Sequence, residues 1–591
     1  MVTSTRSRAL VRPWVLVAAL ILGLLATTFA RPQVANAESG FVIGTVFRDF
    51  DSDGTADPGN PATGEQTDLG LAGVNVTAFD ALNNPVGTAV SGPDGAYRMA
   101  IAPASAADGT PLRIEFDDAQ RPGTANDLPG NYQSSFHGDD NGTSVQFVEA
   151  GDENVDFGVL DPEDFADNNA PIITGIQYAG RRTAPAAAEL PAVVANPWVV
   201  TPNDPLGGQN TTFPGRVNLA TYEQVGSVWG TAFNRSQNAA YAAATYKRTS
   251  DLGPLDIGGI YRMTNVINQS TGALNPTGTG EVEEWLDVEE IGVDVGNALS
   301  TIERGLDLPD DAVRDPDAFE NSGKVGIGGI AITEDSSTLF FVNLFDRNVY
   351  ALDIAGGAPT EATEIDLASE LADGQRPWAV AIHRDRLYVG FVDTQGDGDT
   401  PGAAHTGEFQ VLSTTVASAE DGSPEWRDEL TGSLGYAKGN PITAWGNGNP
   451  SPVPAQVLRW NSWTDDWYWA TTGSVGFNTG WGWTHVYPQP ILSSLAFDAD
   501  GFLVLGFLDR SSHQGGNRQW GSQPPPDCVA PCTGDSRYFE TISSGDTLVA
   551  APAGGAGGGF TLENNGSVGG RTGANTLAAQ GPGGREFVND R

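Results

Sequence analysis

Short apolar stretches alternate with turn-forming residues along the N-terminal part of this chain, from about residue 38 to residue 167. Apolar and polar side chains alternate within the stretches, which is the period of strands with one buried face. Clusters of Asn, Asp, Gly and Pro separate them. Seven strands are predicted, at residues 41–47, 74–79, 86–90, 96–101, 112–116, 144–148 and 154–159. Seven short strands at this spacing predict a β-sandwich.

A second pattern repeats from about residue 198 onwards. Each copy consists of an apolar strand, an acidic turn, a second apolar strand and an outer strand, which is typical of a β-propeller blade. Four copies are recognisable, at residues 228–263, 329–353, 378–391 and 495–507. Large insertions separate them, and one insertion is predicted to hold a short helix at residues 296–306. Residues 198–591 are therefore predicted to form a β-propeller-like domain with long insertions, and the sequence is predicted to be a fragment that lacks the last blades.

The first 37 residues have the organisation of a signal peptide. Arg6, Arg8 and Arg12 form a positive start, residues 14–30 are apolar or small, and Ala35-Asn36-Ala37 supplies a cleavage site. The alternative is an uncleaved membrane anchor, because the apolar run is at the short limit of a spanning segment. No membrane contact is expected of the mature chain. Residues 161–197, acidic at first and then rich in Pro and Ala, are predicted to be a linker.

The composition narrows the class of function. The formal net charge is -43, from 74 acidic against 31 basic residues. This balance excludes a nucleic-acid-binding protein, because such proteins need clustered Lys and Arg. It suits a chain that is soluble outside the cell, where divalent cations neutralise part of the charge. The 75 glycines and 38 prolines favour turns over long helices, in agreement with a mostly β protein.

Carboxylates at alternate positions follow the first predicted strand. Asp49, Asp51 and Asp53 are followed at once by Gly54, and Asp57 comes shortly after. Oxygen ligands at this spacing, with a glycine for the sharp turn, form a cage of the type that binds Ca²⁺. The alternative is a solvated acidic turn. A metal here would hold the loop and the sandwich edge together rather than take part in a reaction.

Four sequence blocks in this part of the chain resemble a known family. They are Gly44-x-Val46-Phe47-x-Asp49-x-Asp51-x-Asp53-Gly54, Gly70-Leu71-Ala72-Gly73-Val74-x-Val76, Asp94-Gly95-x-Tyr97 and Val155-Asp156-Phe157-Gly158-Val159. In this order, over residues 38–160, they resemble the SdrD B-like domain of bacterial surface proteins, which is related to CnaB-type domains. The resemblance implies an immunoglobulin-like β-sandwich that binds calcium and acts as a rigid spacer.

The resemblance also implies a set of ligands. They are the carboxylates of Asp49, Asp51, Asp53 and Asp57 and the carbonyl oxygen of Thr55. The twelfth loop position, where a bidentate Glu is expected, is Asn60. Glu65 or Asp68 could supply that ligand after a short insertion. The Lys–Asn isopeptide crosslink of CnaB-type domains is excluded here, because residues 38–167 contain no lysine.

Two further loops carry candidate chemistry. Cys528 and Cys532 are the only cysteines, and in an exported chain they predict a disulfide that closes a proline-rich loop. Asp393, Asp397 and Asp399 could form a second Ca²⁺ loop, although a solvated turn fits their spacing equally well.

A region rich in tryptophan contains the candidate ligand surface, formed by Trp460, Trp463, Trp467 and Trp469. Exposed indole faces could stack on sugar rings, while Asp465 and Asp466 could accept hydrogen bonds from hydroxyls. The competing interpretation is that these tryptophans pack an insertion between blades, and large exposed apolar patches are rare on soluble chains. The packing interpretation is therefore favoured.

No nucleophile or metal-ligand motif is present: there is no G-x-S-x-G, and the five histidines show no H-E-x-x-H spacing. The sequence predicts an all-β, secreted or cell-surface bacterial protein with a calcium-stabilised spacer and a propeller-like domain for recognition or adhesion. Its partner would be an extracellular protein or a glycan. The alternative is an extracellular propeller enzyme, a Ca²⁺-dependent hydrolase or lyase. Histidines and carboxylates converging on one face would favour the enzyme, and an exposed tryptophan patch would favour binding.

Overall fold

Where the structure describes it, the protein is mostly β-strands in several antiparallel sheets, with few and short helices. The computed structural model describes residues 40–49, 69–92, 94–107, 109–116, 133–135, 143–160, 171–176, 190–197, 216–234, 236–268, 273–275, 281–306, 313–333, 336–383, 386–395, 405–438, 455–467, 483–497, 502–522, 539–543, 545–553 and 559–572. None of the helices within these ranges has the length and hydropathy of a bilayer-spanning segment.

Nine strands lie among the described residues of the N-terminal region, residues 40–160. They are β1 (Phe41–Arg48), β2 (Leu69–Gly70), β3 (Asn75–Phe79), β4 (Pro85–Val90), β5 (Ala96–Ala100), β6 (Pro111–Phe116), β7 (Gln133–Ser134), β8 (Val145–Glu149) and β9 (Phe157–Leu160). All seven predicted strands overlap observed ones. One sheet has the order β2-β1-β9-β7 with β5 also paired to β1, and the other has the order β4-β3-β6-β8.

Both sheets of the N-terminal region contribute to one apolar core. Along β5 and β6 exposed or half-buried residues alternate with buried ones, as a one-sided sheet requires. The buried side chains include Val46 and Phe157 from one sheet and Val76 and Ile114 from the other. The alternating pattern that predicted these strands thus also identifies the face that each strand buries.

Glycines of the family-like blocks lie where two backbones approach closely. Gly95 has a φ of +75°, and a Cβ placed on it would lie 2.1 Å from the carbonyl oxygen of Val46. A Cβ on Gly44 would lie 2.0 Å from the carbonyl oxygen of Val155, which also accepts a hydrogen bond from the Tyr97 hydroxyl at 2.7 Å. Residues of three of the four blocks therefore meet at these contacts.

The C-terminal region, residues 171–572, contains the other strands. They are β10 (Pro171–Gly175), β11 (Pro191–Pro197), β12 (Val217–Thr221), β13 (Val228–Asn234), β14 (Ala239–Ala244), β15 (Gly259–Thr264), β16 (Ile267–Asn268), β17 (Ala273–Leu274), β18 (Val282–Asp287), β19 (Ile327–Ile332), β20 (Thr338–Asn343), β21 (Val349–Asp353), β22 (Thr363–Ile365), β23 (Gln375–His383), β24 (Arg386–Asp393), β25 (Glu408–Thr415), β26 (Arg427–Ser433), β27 (Trp483–His485), β28 (Pro490–Phe497), β29 (Leu503–Asp509), β30 (Asn517–Gln519), β31 (Phe539–Thr541), β32 (Asp546–Pro552), β33 (Phe560–Leu562), β34 (Ser567–Val568) and β35 (Arg571–Thr572).

Four sheets of this region have four antiparallel strands each, in the orders β13-β14-β15-β18, β19-β20-β21-β22, β23-β24-β25-β26 and β28-β29-β32-β33. Their first strands, β13, β19, β23 and β28, lie side by side in succession. Close approach between them depends on small residues: a Cβ on Gly230 would lie 2.7 Å from the carbonyl oxygen of Gly328. We define the front face as the end of these sheets at which each first strand begins and each second strand ends.

A three-stranded sheet, β10-β11-β12, precedes these four sheets. Among the four sheets, the second strand of one contacts the first strand of the next: β14 contacts β19, β20 contacts β23 and β24 contacts β28. In the same way, β10 contacts β13. By this criterion β10, β11 and β12 correspond to second, third and fourth strands. Two of them, β10 and β11, fall within residues 161–197, so the prediction of a linker there was wrong for these segments. Their prolines stand at strand ends, where a missing N–H is tolerated.

The helices that the structure describes are short and lie between strands. They are α1 (Tyr222–Val225), α2 (Pro316–Asn321), α3 (Val416–Glu420) and α4 (Ser511–Gln514), with 3₁₀ turns at Asp256–Gly258, Ala368–Glu370 and Ala455–Leu458. The predicted helix at residues 296–306 was wrong, because this segment forms turns. Gly296 and Gly305 have φ values of +86° and +72°, which a right-handed helix does not admit.

Candidate functional site

The predicted calcium loop begins at the end of β1. Asp49 is fully buried there, and its backbone N–H donates to the carbonyl oxygen of Val159 at 2.8 Å. A buried carboxylate at this position fits a metal ligand, because buried charges are usually paired or coordinate a metal. The other implied ligands lie outside the described residues: Asp51, Asp53, Thr55, Asp57, Glu65 and Asp68. Where the chain is described, no three His, Cys, Asp or Glu residues are placed to hold a metal.

The other two candidate loops are described only in part or not at all. Cys528 and Cys532 lie outside the described residues, as do Asp397 and Asp399. Asp393 ends β24, and its Oδ1 accepts a hydrogen bond from the backbone N–H of Gln395 at 2.8 Å. That bond belongs to an ordinary turn of the backbone. The disulfide and the second calcium loop stay predictions.

Three of the four tryptophans of the candidate ligand surface are buried. Trp460, Trp463 and Trp467 are at most 1% exposed, and Trp469 lies outside the described residues. The indole N–H of Trp463 donates to the carbonyl oxygen of Pro490 at 2.8 Å, so even its polar atom is used inside the protein. The proposal of an exposed stacking surface was therefore wrong for these three residues. Burying so large an apolar ring is the stronger driving force.

Two other tryptophans mark the centre of the C-terminal region. Trp229 and Trp378 lie in the register irregularities of β13 and β23, and such bulges turn a side chain away from its regular direction. The corresponding irregularities of β19 and β28 contain the small residues Gly328 and Ser493. The imidazole of His513, from α4, fits between the two indoles, with its centroid 5.5 Å from each. Trp378 and His513 are buried, whereas Trp229 is partly exposed.

Arg510 ties the segments around this centre together. Its Nε donates to the carbonyl oxygen of Ser322 at 2.8 Å, and its Nη2 donates to that of Glu320 at 2.9 Å. These oxygens lie at the C-terminal end of α2, where carbonyl groups lack helical partners and a cation is favoured. The guanidinium also lies 4.4 Å from the ring of Trp463. One side chain thus fixes α2 against the segment that carries Trp463.

An ion pair completes the arrangement around Arg510. Nη2 of Arg510 lies 3.0 Å from Oδ1 of Asp465, and Nζ of Lys324 lies 2.5 Å from Oδ2 of the same carboxylate. Burial acts to raise the pKa of Asp465, but Arg510 and Lys324 outweigh it and lower that pKa below its usual value. Asp465, predicted as a hydroxyl acceptor for a sugar, is therefore already engaged by two cations.

Three further cationic side chains are buried nearby: Lys247 and Arg248, which follow β14, and Arg304, which follows β18. Arg304 and Asp315 form a buried pair with N–O distances of 3.0 and 2.7 Å, and Arg304 also donates to the carbonyl oxygen of Lys247 at 2.7 Å. Lys247 and Arg248 are buried as well. Nζ of Lys247 donates to the carbonyl oxygen of Ser512, and Nε of Arg248 to that of Arg314 at 2.8 Å. We call Trp229, Lys247, Trp378, Arg510 and His513 the central cluster.

The electrostatics of the central cluster follow from burial and from like charges. Burial, together with Arg248, lowers the pKa of Lys247 to about 8. Burial, followed by Lys247 and Arg510, holds the pKa of His513 well below its ordinary value. At neutral pH the imidazole is therefore neutral, while the lysine and arginine are charged. A general base must reach the proton that it removes, and these groups are enclosed. The contacts of Lys247 and Arg510 are hydrogen bonds to backbone carbonyl oxygens, which hold the segments between strands in place.

Exposed apolar side chains lie on the front face. They belong to segments that contact the buried residues described above. Leu299, Ile302 and Phe345 are 40%, 73% and 46% exposed. The backbone N–H of Leu299 donates to the hydroxyl of Tyr246 at 3.3 Å, and the ring of Phe345 lies against Gly296. Arg304 belongs to the same segment. An apolar surface is therefore presented on a backbone that is fixed from within.

The central cluster was missed by the sequence prediction. Aligning the first strands on their Ala–apolar ends (Ala232, Ala331, Ala381 and Ala496) places Trp229, Gly328, Trp378 and Ser493 in one column. Large and small residues alternate in that column, which is a signal of side chains meeting at a common centre. No comparable signal exists for Arg510, because its partners are separated from it by 21 to 190 positions.

No model of a known protein family matches the chain. Colossin-B of Dictyostelium discoideum is 23% identical to it over 571 residues, which are 94% of this chain and 12% of Colossin-B. The chain therefore spans about an eighth of the length of this curated relative.

Solved structures resemble the chain only distantly. Hydrazine synthase of Kuenenia stuttgartiensis is 10% identical, with a TM-score of 0.24 over 59% of this chain and 56% of that one. The periplasmic gluconolactonase of Pseudomonas aeruginosa is 11% identical, with a TM-score of 0.23 over 83% and 95%. Regucalcin, a calcium-binding protein of Agrobacterium tumefaciens, is 13% identical, with a TM-score of 0.19 over 55% and 82%. TM-scores of this size identify neither a family nor a function.

Proposed function

We propose that this protein is secreted or held at a bacterial cell surface, where the front face of its C-terminal region recognises an extracellular protein. In this proposal the C-terminal sheets form a β-propeller-like recognition domain. The N-terminal region is an immunoglobulin-like, SdrD B-like spacer stabilised by calcium. The observation that carries the proposal is the exposure of Leu299 and Ile302 on a segment that is fixed from within, with the exposed ring of Phe345 beside that segment at Gly296.

Exposed apolar side chains on a rigid backbone favour recognition, because little conformational freedom is lost when a partner binds. The segment is held by the Arg304–Asp315 pair and by the hydroxyl of Tyr246. A protein fits these side chains better than a glycan, since protein interfaces have apolar cores. The enzyme alternative is less well supported, because the titratable groups that converge nearby are buried, and a catalytic group must reach its substrate.

The recognition proposal can be tested with the double variant Ile302→Ser/Phe345→Ser of the full chain. Both residues are exposed, so the unfolding temperature should be unchanged, while binding to extracellular matrix proteins in an array should be lost. Phe147→Ser, on the outer face of β8 and 78% exposed, is the matched control and should bind as the wild type does. Binding to glycans alone, or unchanged binding by the double variant, would refute the proposed surface.

The calcium proposal makes a separate prediction about the N-terminal region. Asp49 is buried at the end of β1 and would contribute one ligand, with the other ligands supplied by the acidic loop that follows. Removing calcium should leave the carboxylates of this loop to repel one another and lower the unfolding temperature of this region alone. Calorimetry with calcium and with EGTA measures this directly. An unfolding profile indifferent to EGTA would contradict the metal site.

A further inference from the structure

The indole N–H of Trp378, at the centre of the C-terminal region, has no acceptor among the residues that the structure describes. Trp378 is 2% exposed, and its Nε1 has no partner among the described residues. An indole N–H can only donate, so it needs an acceptor when it is removed from water. The other buried indole nearby shows the ordinary solution, since Nε1 of Trp463 donates to the carbonyl oxygen of Pro490.

Lys247 supplies a second, independent observation. It is 3% exposed, and its Nζ makes one hydrogen bond, to the carbonyl oxygen of Ser512. Among the described residues it forms no ion pair, and the carboxylates of Asp315 and Asp465 are paired with Arg304 and with Arg510 and Lys324. An ammonium group has three donors, and a buried charge is normally compensated by an opposite one.

His513 connects these two groups in space. Its ring lies 5.5 Å from the ring of Trp378, and Ser512, the residue before it, accepts the hydrogen bond of Lys247. The positive charges of Lys247 and Arg510 both lower the pKa of His513. Among the described residues, the surroundings of His513 therefore include an indole donor without an acceptor, an ammonium group without an ion-pair partner and a guanidinium. Each of these groups favours a negative charge near it.

We propose that the central cluster binds a small inorganic anion of the halide type, held between the indole N–H of Trp378 and the ammonium group of Lys247. Water could satisfy the indole, but only an anion also compensates the lysine. The chain's net charge of -43 does not prevent this, because exposed charges beyond about 8–10 Å are screened by salt. Trp229 is partly exposed, which gives the ion a side from which to exchange.

The test uses thermal unfolding of the full chain in sodium chloride and in sodium gluconate at equal ionic strength. Gluconate is too large for an enclosed site, so chloride should raise the unfolding temperature of the C-terminal region by about 2–4 °C. Trp378→Phe keeps an aromatic ring but removes the N–H donor, and Lys247→Met removes the charge. Each should abolish this difference. Trp463→Phe removes an indole donor that has a protein acceptor, and should keep it.

Bromide provides the structural arm of the experiment. In wild-type crystals grown with bromide, an anomalous difference peak is expected within hydrogen-bond distance of Nε1 of Trp378. Equal unfolding temperatures in chloride and gluconate, or a chloride effect that survives in Trp378→Phe and Lys247→Met, would overturn the proposal. So would bromide crystals with no anomalous peak at the cluster. The readouts involve no binding partner, so they are independent of the proposed recognition function.

Discussion

The two regions of this protein hold their sheets together in different ways. In the N-terminal region the described core is apolar, and its buried charged residues are Asp49 and Asp156. In the C-terminal region apolar clusters between sheets are joined by a polar centre that buries Lys247, Arg248, Arg304 and Arg510. The N-terminal region is held mainly by packing, and the C-terminal region by packing together with cations.

The difference follows from how the backbone N–H and C=O groups of each region obtain their hydrogen-bond partners. The two N-terminal sheets bury side chains from regular strands, whose backbone groups pair within the sheets. The C-terminal centre is built from segments between strands, whose carbonyl groups lack ladder partners. A guanidinium has five donors in a fixed fork, so Arg510 can serve several carbonyl oxygens at once. Buried arginines thus donate the hydrogen bonds that neighbouring strands would donate in a sheet.

The sharpest way to break this comparison is to remove one such cation. Arg510→Met retains much of the side-chain volume but leaves the carbonyl oxygens of Glu320 and Ser322 without their donor, and Asp465 with one cation fewer. We expect the C-terminal region to lose about 3–5 kcal/mol of unfolding free energy, as when one partner of a buried pair is removed. The N-terminal region should be unaffected.

Tryptophan fluorescence in urea measures this loss selectively, because residues 38–160 contain no tryptophan. The control is Arg262→Met, which removes a partly exposed pair with Glu283 at 3.2 Å and should cost less than about 1 kcal/mol. Similar losses in the two variants would mean that the polar centre does not stabilise the region. Regular strands would then be sufficient in both regions.

The same contrast determines how much could be predicted from the sequence. The strands of the N-terminal region follow from a period of two and from turn residues, whereas the first strands of the C-terminal sheets follow from apolar runs joined by acidic turns, and both sets were predicted. The turns at residues 296–306 were not, because helix-like spacing of apolar residues conceals the left-handed glycines Gly296 and Gly305. The Arg510 contacts could not be predicted, since they join segments that only the complete fold brings together.

Acid should affect the C-terminal region through His405. Burial lowers the pKa of this histidine to about 4, from an ordinary value of 6.5, although Asp393 opposes the shift. Between pH 6.5 and pH 4, His405 is therefore protonated in the unfolded chain but neutral in the folded chain. The stabilisation is complete above pH 6.5 and is lost as the pH falls towards 4, at up to about 1.4 kcal/mol per pH unit and about 3 kcal/mol in total.

Urea unfolding followed by tryptophan fluorescence at several pH values measures this loss. His405→Asn provides the comparison, because an asparagine oxygen can still accept the hydrogen bond of the Gly407 backbone N–H but does not titrate. The difference in stability between wild type and variant should shrink as the pH falls from 6.5 to 4. A constant difference over that range would show that His405 is not the responsible group.

A backbone substitution should weaken the N-terminal region by an intermediate amount. Alanine at Gly95 combines a left-handed φ of +75° with a Cβ 2.1 Å from the carbonyl oxygen of Val46. We expect a loss of about 2 kcal/mol or more in the calorimetric transition of this region. Gly73→Ala is the matched control, since its φ is +88° but its Cβ would meet nothing within 4 Å. Equal losses would leave no role for the close approach of the strands.

The smallest effect tests whether the apolar packing of the two regions is equivalent. Ile114 in β6 and Ile260 in β15 are both fully buried, so Ile→Val at either position should cost about 1 kcal/mol. Calorimetry should show each variant lowering only the transition of its own region. Equal costs would locate the difference between the regions in the polar centre, where Arg510 acts. A much larger cost for Ile114→Val would instead mean that the N-terminal core is packed more tightly, and that its stability depends on fit more than on the absence of buried charge.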